Sequence, residues 1–262
     1  MHTYLDKITE TLAAVDRTQG DPIARAADRM AASIAGGRAV YLFGSGHSIL
    51  PLMDIFPRYG SFPGFVPIID PRLVWYGAVG PGGARELLWI ERREGYVENL
   101  FGSFRFVPQD TMWVFSHGGL NAAPVEAALY AKARGLFVVA VTCAANQRTA
   151  RATHSSGKKL GDIADVVIDN CAPPEDALVA IDGWPYAVAA ASTVAGIAIS
   201  MTLLAEVARR SSSGPMSRSR AMPGAWPRPW WPPLAGSTSC TITPGSSVWE
   251  TWKSCRKPIG IW

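Results

Sequence analysis

The feature that most constrains this chain is a set of short apolar runs, separated from one another by stretches with helical spacing. The runs lie at residues 40–43, 65–69, 111–115, 136–141 and 166–168. Runs of that length, rich in Val, Ile and Phe, read as strands, and the unbroken one at 136–141 as a strand buried on both faces. Strands that alternate with helices predict an α/β fold, a parallel sheet covered on both sides. Right-handed crossovers then bring all strand C-termini to one edge, where such sheets bind their ligands. Pro67 removes a ladder donor, so 65–69 is expected as an edge strand or an irregular one. Three of the runs end in turns rich in Gly, Ser, Thr and Asn, at 44–48, 116–121 and 142–146. That coincidence points to a polar ligand.

Helical signals fill the intervals. Leu5, Ile8, Leu12 and Val15 recur at three- and four-residue spacing. Gly20-Asp21-Pro22 interrupts the pattern, with Asp21 as the expected N-cap and Pro22 at the first helical position of a helix over 23–34. Further helices are expected over 49–59, 86–101 and 122–134, with a loop at 77–83 and a turn at 108–110. Residues 183–205 carry no charge, which raises a membrane span. The alanines there, with Ser192, Thr193, Ser200 and Thr202, argue instead for a buried helix or one at a subunit interface. No membrane partner is therefore expected.

Composition enters through charge. The chain of 262 residues has a formal net charge of +4, which would raise nucleic acid as a partner. Six of the 25 basic residues but only one of the 21 acidic residues lie beyond residue 210. The remaining 19 basic and 20 acidic residues leave 1–210 nearly neutral, so no basic face is expected and nucleic acid is excluded. Cys143, Cys171, Cys240 and Cys255 form no CxxC pair, and Asp6, Lys7 and Glu10 interrupt any signal-peptide pattern. A reducing, cytoplasmic setting follows as an expectation. Residues 210–262, rich in Trp, Pro, Ser and Arg and without periodicity, are set apart from a single domain over 1–209. That tail is expected to be disordered or translated out of frame.

The first polar turn reads Gly44-Ser45-Gly46-His47-Ser48. A strand feeding a glycine turn feeding a helix gathers backbone N–H groups and the positive end of a helix at one spot, an anion site. Ile49 stands where a dinucleotide fingerprint needs its third glycine, and no lysine follows as a P-loop requires. Hydroxyls at Ser45 and Ser48 suit a single phosphate.

With the second loop, Ser116-His117-Gly118-Gly119-Leu120-Asn121, and the Ala140-Val141-Thr142 ending of the fourth strand, the chain resembles the SIS (sugar isomerase) domain. The segment His154-Ser155-Ser156-Gly157-Lys158 is similar to a subgroup of bacterial single-domain SIS proteins of poorly defined substrate. The resemblance spans residues 3–209. It implies a three-layer α/β/α sandwich with a five-stranded parallel sheet, flavodoxin-like or Rossmann-like, with the N-terminal helices packing outside. It also implies a homodimer or a dimer of dimers, and a sugar phosphate bound at the strand C-termini. Carried over, Gly44, Ser45, Gly46, His47, Ser48, Ser116, Gly119, Asn121, Thr142, Ser155 and Lys158 line the ligand. Gly118 stands where the family usually has a second serine, so one hydroxyl contact is missing.

Aldose–ketose isomerisation needs a base that moves a proton between neighbouring carbons and an acid that opens the ring. A carboxylate and a histidine meet that need, and Glu94 and His154 are the residues assigned. Glu91 and Glu98 share the Glu94 helix at neighbouring turns. His47, His117 and His154 lack metal-ligand spacing, so neither a metal nor a cofactor is expected. The rival reading is a module that senses a phosphosugar without turnover. No helix-turn-helix precedes the domain to make it a DNA-linked regulator.

Overall fold

Five parallel strands form one sheet in the order β2-β1-β3-β4-β5. They are β1 (Val40–Gly44), β2 (Phe65–Pro67), β3 (Thr111–Phe115), β4 (Phe137–Thr142) and β5 (Val166–Asp169). The computed structural model describes residues 3–55, 58–74 and 83–213. Val40 pairs with Phe65 on one side and Thr111 on the other, and Thr111 pairs in turn with Phe137. β2 is three residues long and sits at the edge, where Pro67 leaves no ladder bond unmade.

Nine α-helices are described: α1 (Thr3–Thr18), α2 (Gly20–Ala35), α3 (Leu50–Ile55), α4 (Gly83–Ile90), α5 (Tyr96–Phe101), α6 (Ala122–Ala133), α7 (Ala144–Thr149), α8 (Leu160–Ile163) and α9 (Ser192–Ser213). Alternate strand residues face opposite layers, as the two-residue period of a strand requires. Leu42, Trp113, Phe115, Val139 and Val141 pack with Ala26, Ala27 and Met30 of α2, Leu52 and Ile55 of α3, and Ile199, Leu203 and Val207 of α9. Phe43, Met112, Val114, Val138 and Ala140 face Leu87 and Ile90 of α4, Val97 and Phe101 of α5, and the alanines of α6. The result is the three-layer α/β/α sandwich, with the N-terminal helices in one outer layer. Each fully buried Leu, Ile, Val or Phe contributes about 1.5–3 kcal/mol.

Four boundaries differ from expectation. The helix expected over 86–101 is two helices, broken between Ile90 and Tyr96, with Gly95 at φ 86°. Glu94 therefore stands in a loop and not on a helix face. The helix after the first turn starts as a 3-10 turn over Gly46–Ile49, and its α-helical part ends at Ile55. α2 begins at Gly20 with Gln19 at its N-cap, because α1 runs on to Thr18. Asp21 and Pro22 are thus inside the first turn. Gln19 turns its Oε1 to the Asp169 N–H at 2.9 Å instead, tying the helix junction to β5.

The uncharged stretch 183–205 also divides. Its first part belongs to a hairpin in which Val179 and Val188 exchange backbone hydrogen bonds. The helix proper starts at Ser192. It is apolar enough to pass as a span by length and composition, with a mean hydropathy of 1.3 over its best window. Ala195, Ile199, Leu203 and Val207 are buried on its inner side, so it is a core helix of the sandwich. The tail expected over 210–262 lies outside the described residues beyond Ser213, as do Cys240 and Cys255 and all but Gly83 of the loop expected at 77–83.

Candidate functional site

The turn after β1 is shaped by its glycines. A Cβ on Gly44 would overlap the Ser48 carbonyl group, 2.8 Å from its carbon. Gly46 lies at φ 58°, in the left-handed region that side chains disfavour. Together they let the chain double back at the strand end. Ser45 adopts an extended conformation between them, and the Ser48 N–H closes the turn on the Ser45 carbonyl at 3.2 Å. His47 is exposed and Ser48 half-buried.

The loop after β3 is held by β4. The Ser116 N–H donates to the Val141 carbonyl at 3.0 Å, and the Cys143 N–H donates to the His117 carbonyl at 2.9 Å. Thr142 Oγ1 donates to the same His117 carbonyl at 3.1 Å. Ser116 Oγ accepts the Gly119 N–H at 3.0 Å, which leaves the hydroxyl hydrogen for another partner. The His117 ring is fixed on both sides: Nδ1 accepts from the Asn170 amide at 3.1 Å and Nε2 faces the Pro174 carbonyl at 3.2 Å. Asn170 is 2% exposed, and its Oδ1 accepts the Ala172 N–H at 3.1 Å, which turns its amino group to His117.

The N-terminus of α9 closes this arrangement. Asp176 Oδ1 accepts the N–H groups of Ala191 and Ser192 at 3.0 and 2.7 Å, and its Oδ2 accepts the Ser192 hydroxyl at 2.6 Å. An acidic cap on the positive end of a helix fixes where the helix starts. Ser192, Thr193 and Gly196 then line a small, partly open cleft with His47, Ser48, Pro51, Phe115, Ser116, His117, Val141 and Asn170. The cleft opens between β1 and β3, which is the switch point of a 2-1-3-4-5 sheet.

A second polar cluster lies beside the same loops. Glu91 is 8% exposed and accepts the Ser45 hydroxyl at 3.0 Å and the Asn121 amide at 2.8 Å. Burial pushes its carboxyl above the usual range, against the opposing pull of the Ser45 hydrogen bond and of Arg92. Its carbonyl accepts the Ala123 N–H at 2.9 Å, in the first turn of α6.

Glu94 and His154 form a third cluster. Glu94 accepts from the Ser155 N–H at 2.7 Å and from the Ser155 hydroxyl, and these bonds hold its carboxyl below the usual range. His154 Nε2 stands 3.8 Å from Glu94 Oε2 and 3.9 Å from Glu126 Oε1. Its Nδ1 accepts the Ser156 N–H at 3.1 Å. Glu126 in turn accepts the N–H groups of Gly95 and Val97, fixing the start of α5.

Of the residues expected from sequence, His47, Ser48 and Ser116 line the cleft directly. Gly44, Gly46 and Gly119 shape its loops, and a Cβ on Gly119 would press on Gln147 and on Thr142 Oγ1. Thr142 is fully buried and supports the His117 carbonyl instead of facing the cleft. Ser45 and Asn121 are drawn to Glu91. Glu94 and His154 do meet, but neither lines the cleft. Ser155 serves Glu94, and Lys158 is exposed on the same loop. Ser192, Thr193 and Asn170 also line the cleft and were not expected there from the sequence. Ser192-Thr193 after an alanine run carried an N-cap signal, which the absence of charge over 183–205 masked by suggesting a longer helix.

A family model described as the SIS domain matches residues 3–143, just over half of the chain. A UPF0309 protein of Oceanobacillus iheyensis is 35% identical over 196 residues, covering 75% of this chain and 78% of the relative. A UPF0309 protein of Caldanaerobacter subterraneus is 34% identical over 180 residues, covering 68% and 71%. Among solved structures, a Bacteroides fragilis protein proposed to be a phosphosugar isomerase involved in capsule formation superposes with a TM-score of 0.52. It shares 15% identity over 79% of this chain and 88% of its own, a likeness of fold.

Proposed function

The chain belongs to the SIS domain family, and from that premise we propose that the cleft between β1 and β3 binds a phosphosugar. The observation that carries the reading is the convergence on one cleft of unspent donors from three separate elements. Ser116 has its hydroxyl hydrogen left over, and the hydroxyls of Ser48 and Thr193 have no bond among the described residues. Phe115, Val141 and Pro51 give the cleft an apolar floor against which a phosphate is partly desolvated and its hydrogen bonds gain strength. Aldose–ketose isomerisation is the reaction we assign to the bound sugar, with Glu94 and His154 as the proton carriers. A sensing role without turnover is the second reading, favoured by the place of that pair outside the lining of the cleft.

Thermal unfolding of the full chain with a panel of sugar phosphates, from ribose 5-phosphate to fructose 6-phosphate, tests the binding claim. A ligand at about 100 times its Kd adds roughly 2.7 kcal/mol. That should raise the midpoint by about 5–10 °C. No shift with any member of the panel sinks the reading. Gly118→Ser belongs in the same experiment. A Cβ there meets nothing within 4 Å, so the family's usual serine fits without strain. It should leave the unliganded midpoint unchanged and tighten sugar-phosphate binding about three- to tenfold.

The same premise extends to a homodimer, in one domain over 1–209 within a cytoplasmic setting. Exposed Trp184, Tyr186 and Val194 beside the α9 N-terminus support it as apolar surface in want of a cover. Sedimentation at micromolar concentration should give twice the chain mass, and a monomer there removes the claim.

A further inference from the structure

Around the two glycine-rich loops, hydroxyls and amides differ in which of their atoms are already committed. Ser116 Oγ accepts, and so offers a hydrogen outward. Ser45 does the reverse: its hydrogen goes to Glu91 Oε2, and its lone pairs are what it has left. Asn121 follows Ser45. A carboxylate only accepts, so the amide must present its NH2 to Glu91 Oε1, and its Oδ1 is left with no partner among the described residues. Both residues are half-buried and so reachable by a ligand, while Glu91 behind them is nearly sealed. One side of the loops thus offers donors and the other offers acceptors backed by a carboxylate.

We propose that Glu91 determines specificity by turning Ser45 and Asn121 into acceptors, so that this end of the site takes the hydroxyl groups of the sugar and refuses the phosphate. The assignment rests on the phosphosugar reading above and gives the ligand a direction. Its phosphate sits among Ser48, Ser116 and Thr193, and its hydroxyl-bearing chain runs toward Ser45 and Asn121. A phosphate placed at the second end would meet two lone-pair oxygens with a buried carboxylate behind them. A sugar hydroxyl placed there donates into oxygens whose own hydrogens are held by that carboxylate, an arrangement in which each bond polarises the next. Glu91 acts through these two residues and is a positioning residue, not a proton carrier.

Glu91→Gln separates this role from simple support. Glutamine has the same size and can still bridge the loops, but it offers one acceptor and one donor, so one of the two outward acceptors must reverse. Inorganic phosphate, ribose 5-phosphate and fructose 6-phosphate are titrated into the full-length wild type, E91Q, S45A and the double variant. E91Q and S45A should each weaken the sugar phosphates about five- to twentyfold while phosphate stays within about twofold. The double variant should lose little more than S45A alone, because with the Ser45 hydroxyl gone a glutamine can turn its one acceptor to the Asn121 amide and leave that residue as it was. Equal weakening of phosphate and sugar phosphates by E91Q makes Glu91 a support for the fold and overturns the proposal. So does unchanged sugar-phosphate binding in E91Q and S45A. If the wild type binds phosphate but no sugar phosphate, the phosphosugar reading itself has failed, and the assignment of Glu91 falls with it.

Discussion

Gly44→Ala is expected to destabilise the protein by roughly 2–4 kcal/mol, lowering the unfolding midpoint by about 5–15 °C. The added methyl would meet the carbonyl oxygen and carbon of Ser48, which are backbone atoms. A flexible side chain could swing aside, but here the whole turn must move. Gly44 is the last residue of β1 and pairs with Phe115, so the shift is resisted on one side by the sheet. On the other side Ile49 and Leu52 are fully buried. The turn carries His47 and Ser48 into the cleft, so ligand binding should fall together with stability. Differential scanning calorimetry and a phosphate titration on the same sample check both parts. An alanine variant with wild-type stability would mean that the turn adopts another conformation.

The reason Gly44 could be found at all says what kind of information the sequence holds. Strands written as apolar runs, and turns written as glycines at their ends, are local signals. All five strands of the sheet were legible in that form, and the edge position of β2 is one of the two readings that Pro67 allowed. Burial on two faces leaves a mark at every residue of a run. The break between α4 and α5 was not legible for a related reason. Leu87 and Ile90 before it and Val97 and Phe101 after it keep helical spacing across the gap, because both helices pack on the same face of the sheet. Gly95 was the only local sign against a continuous helix. A glycine inside an apolar periodic pattern is a weaker signal than the pattern.

The polar half of the site was legible as loops but not as partners. Ser45, Glu91 and Asn121 are separated by tens of residues in the chain, and nothing periodic links them. Asp176 and Ser192 are likewise joined only by the fold. Each of these contacts is a single carboxylate answering two or more donors. A carboxylate in a loop looks the same in sequence whether it is solvated or buried. Glu91 and Glu94 show the consequence. They are three residues apart, yet burial raises one carboxyl and hydrogen bonds from Ser155 lower the other. The resemblance singled out the exposed one, as part of a helix that leads into the site in related isomerases, and here that helix ends at Ile90.

That contrast frames the second large effect. Glu94→Gln should lower kcat for sugar-phosphate isomerisation by about 10²–10⁴, the usual worth of one positioned acid or base. Kd for the sugar phosphate should change less than about threefold, since the reading places the grip on the ligand with Ser48, Ser116 and Thr193 and has Glu94 meet only the reacting carbons of a sugar that extends beyond the cleft. The substituted amide still accepts the Ser155 N–H through its carbonyl oxygen, so the 154–158 loop keeps its place and the unfolding midpoint should hold. The native carboxyl is already held below the usual range, so it stays ionised as pH falls toward about 5. Activity that depends on it as a base is therefore retained down to that pH, and it is lost only below the ordinary carboxylate range. His154→Ala should lower kcat comparably if the ring supplies the acid. It should also lower the midpoint, because the ring is 8% exposed and packed between Glu94 and Glu126. The decisive comparison is E94Q alone. A fall in kcat with stability intact makes Glu94 the base. A fall in stability with kcat intact makes it a strut for the Ser155 loop. Binding of sugar phosphates by the wild type without any turnover leaves the pair as a loop lock in a sensing protein.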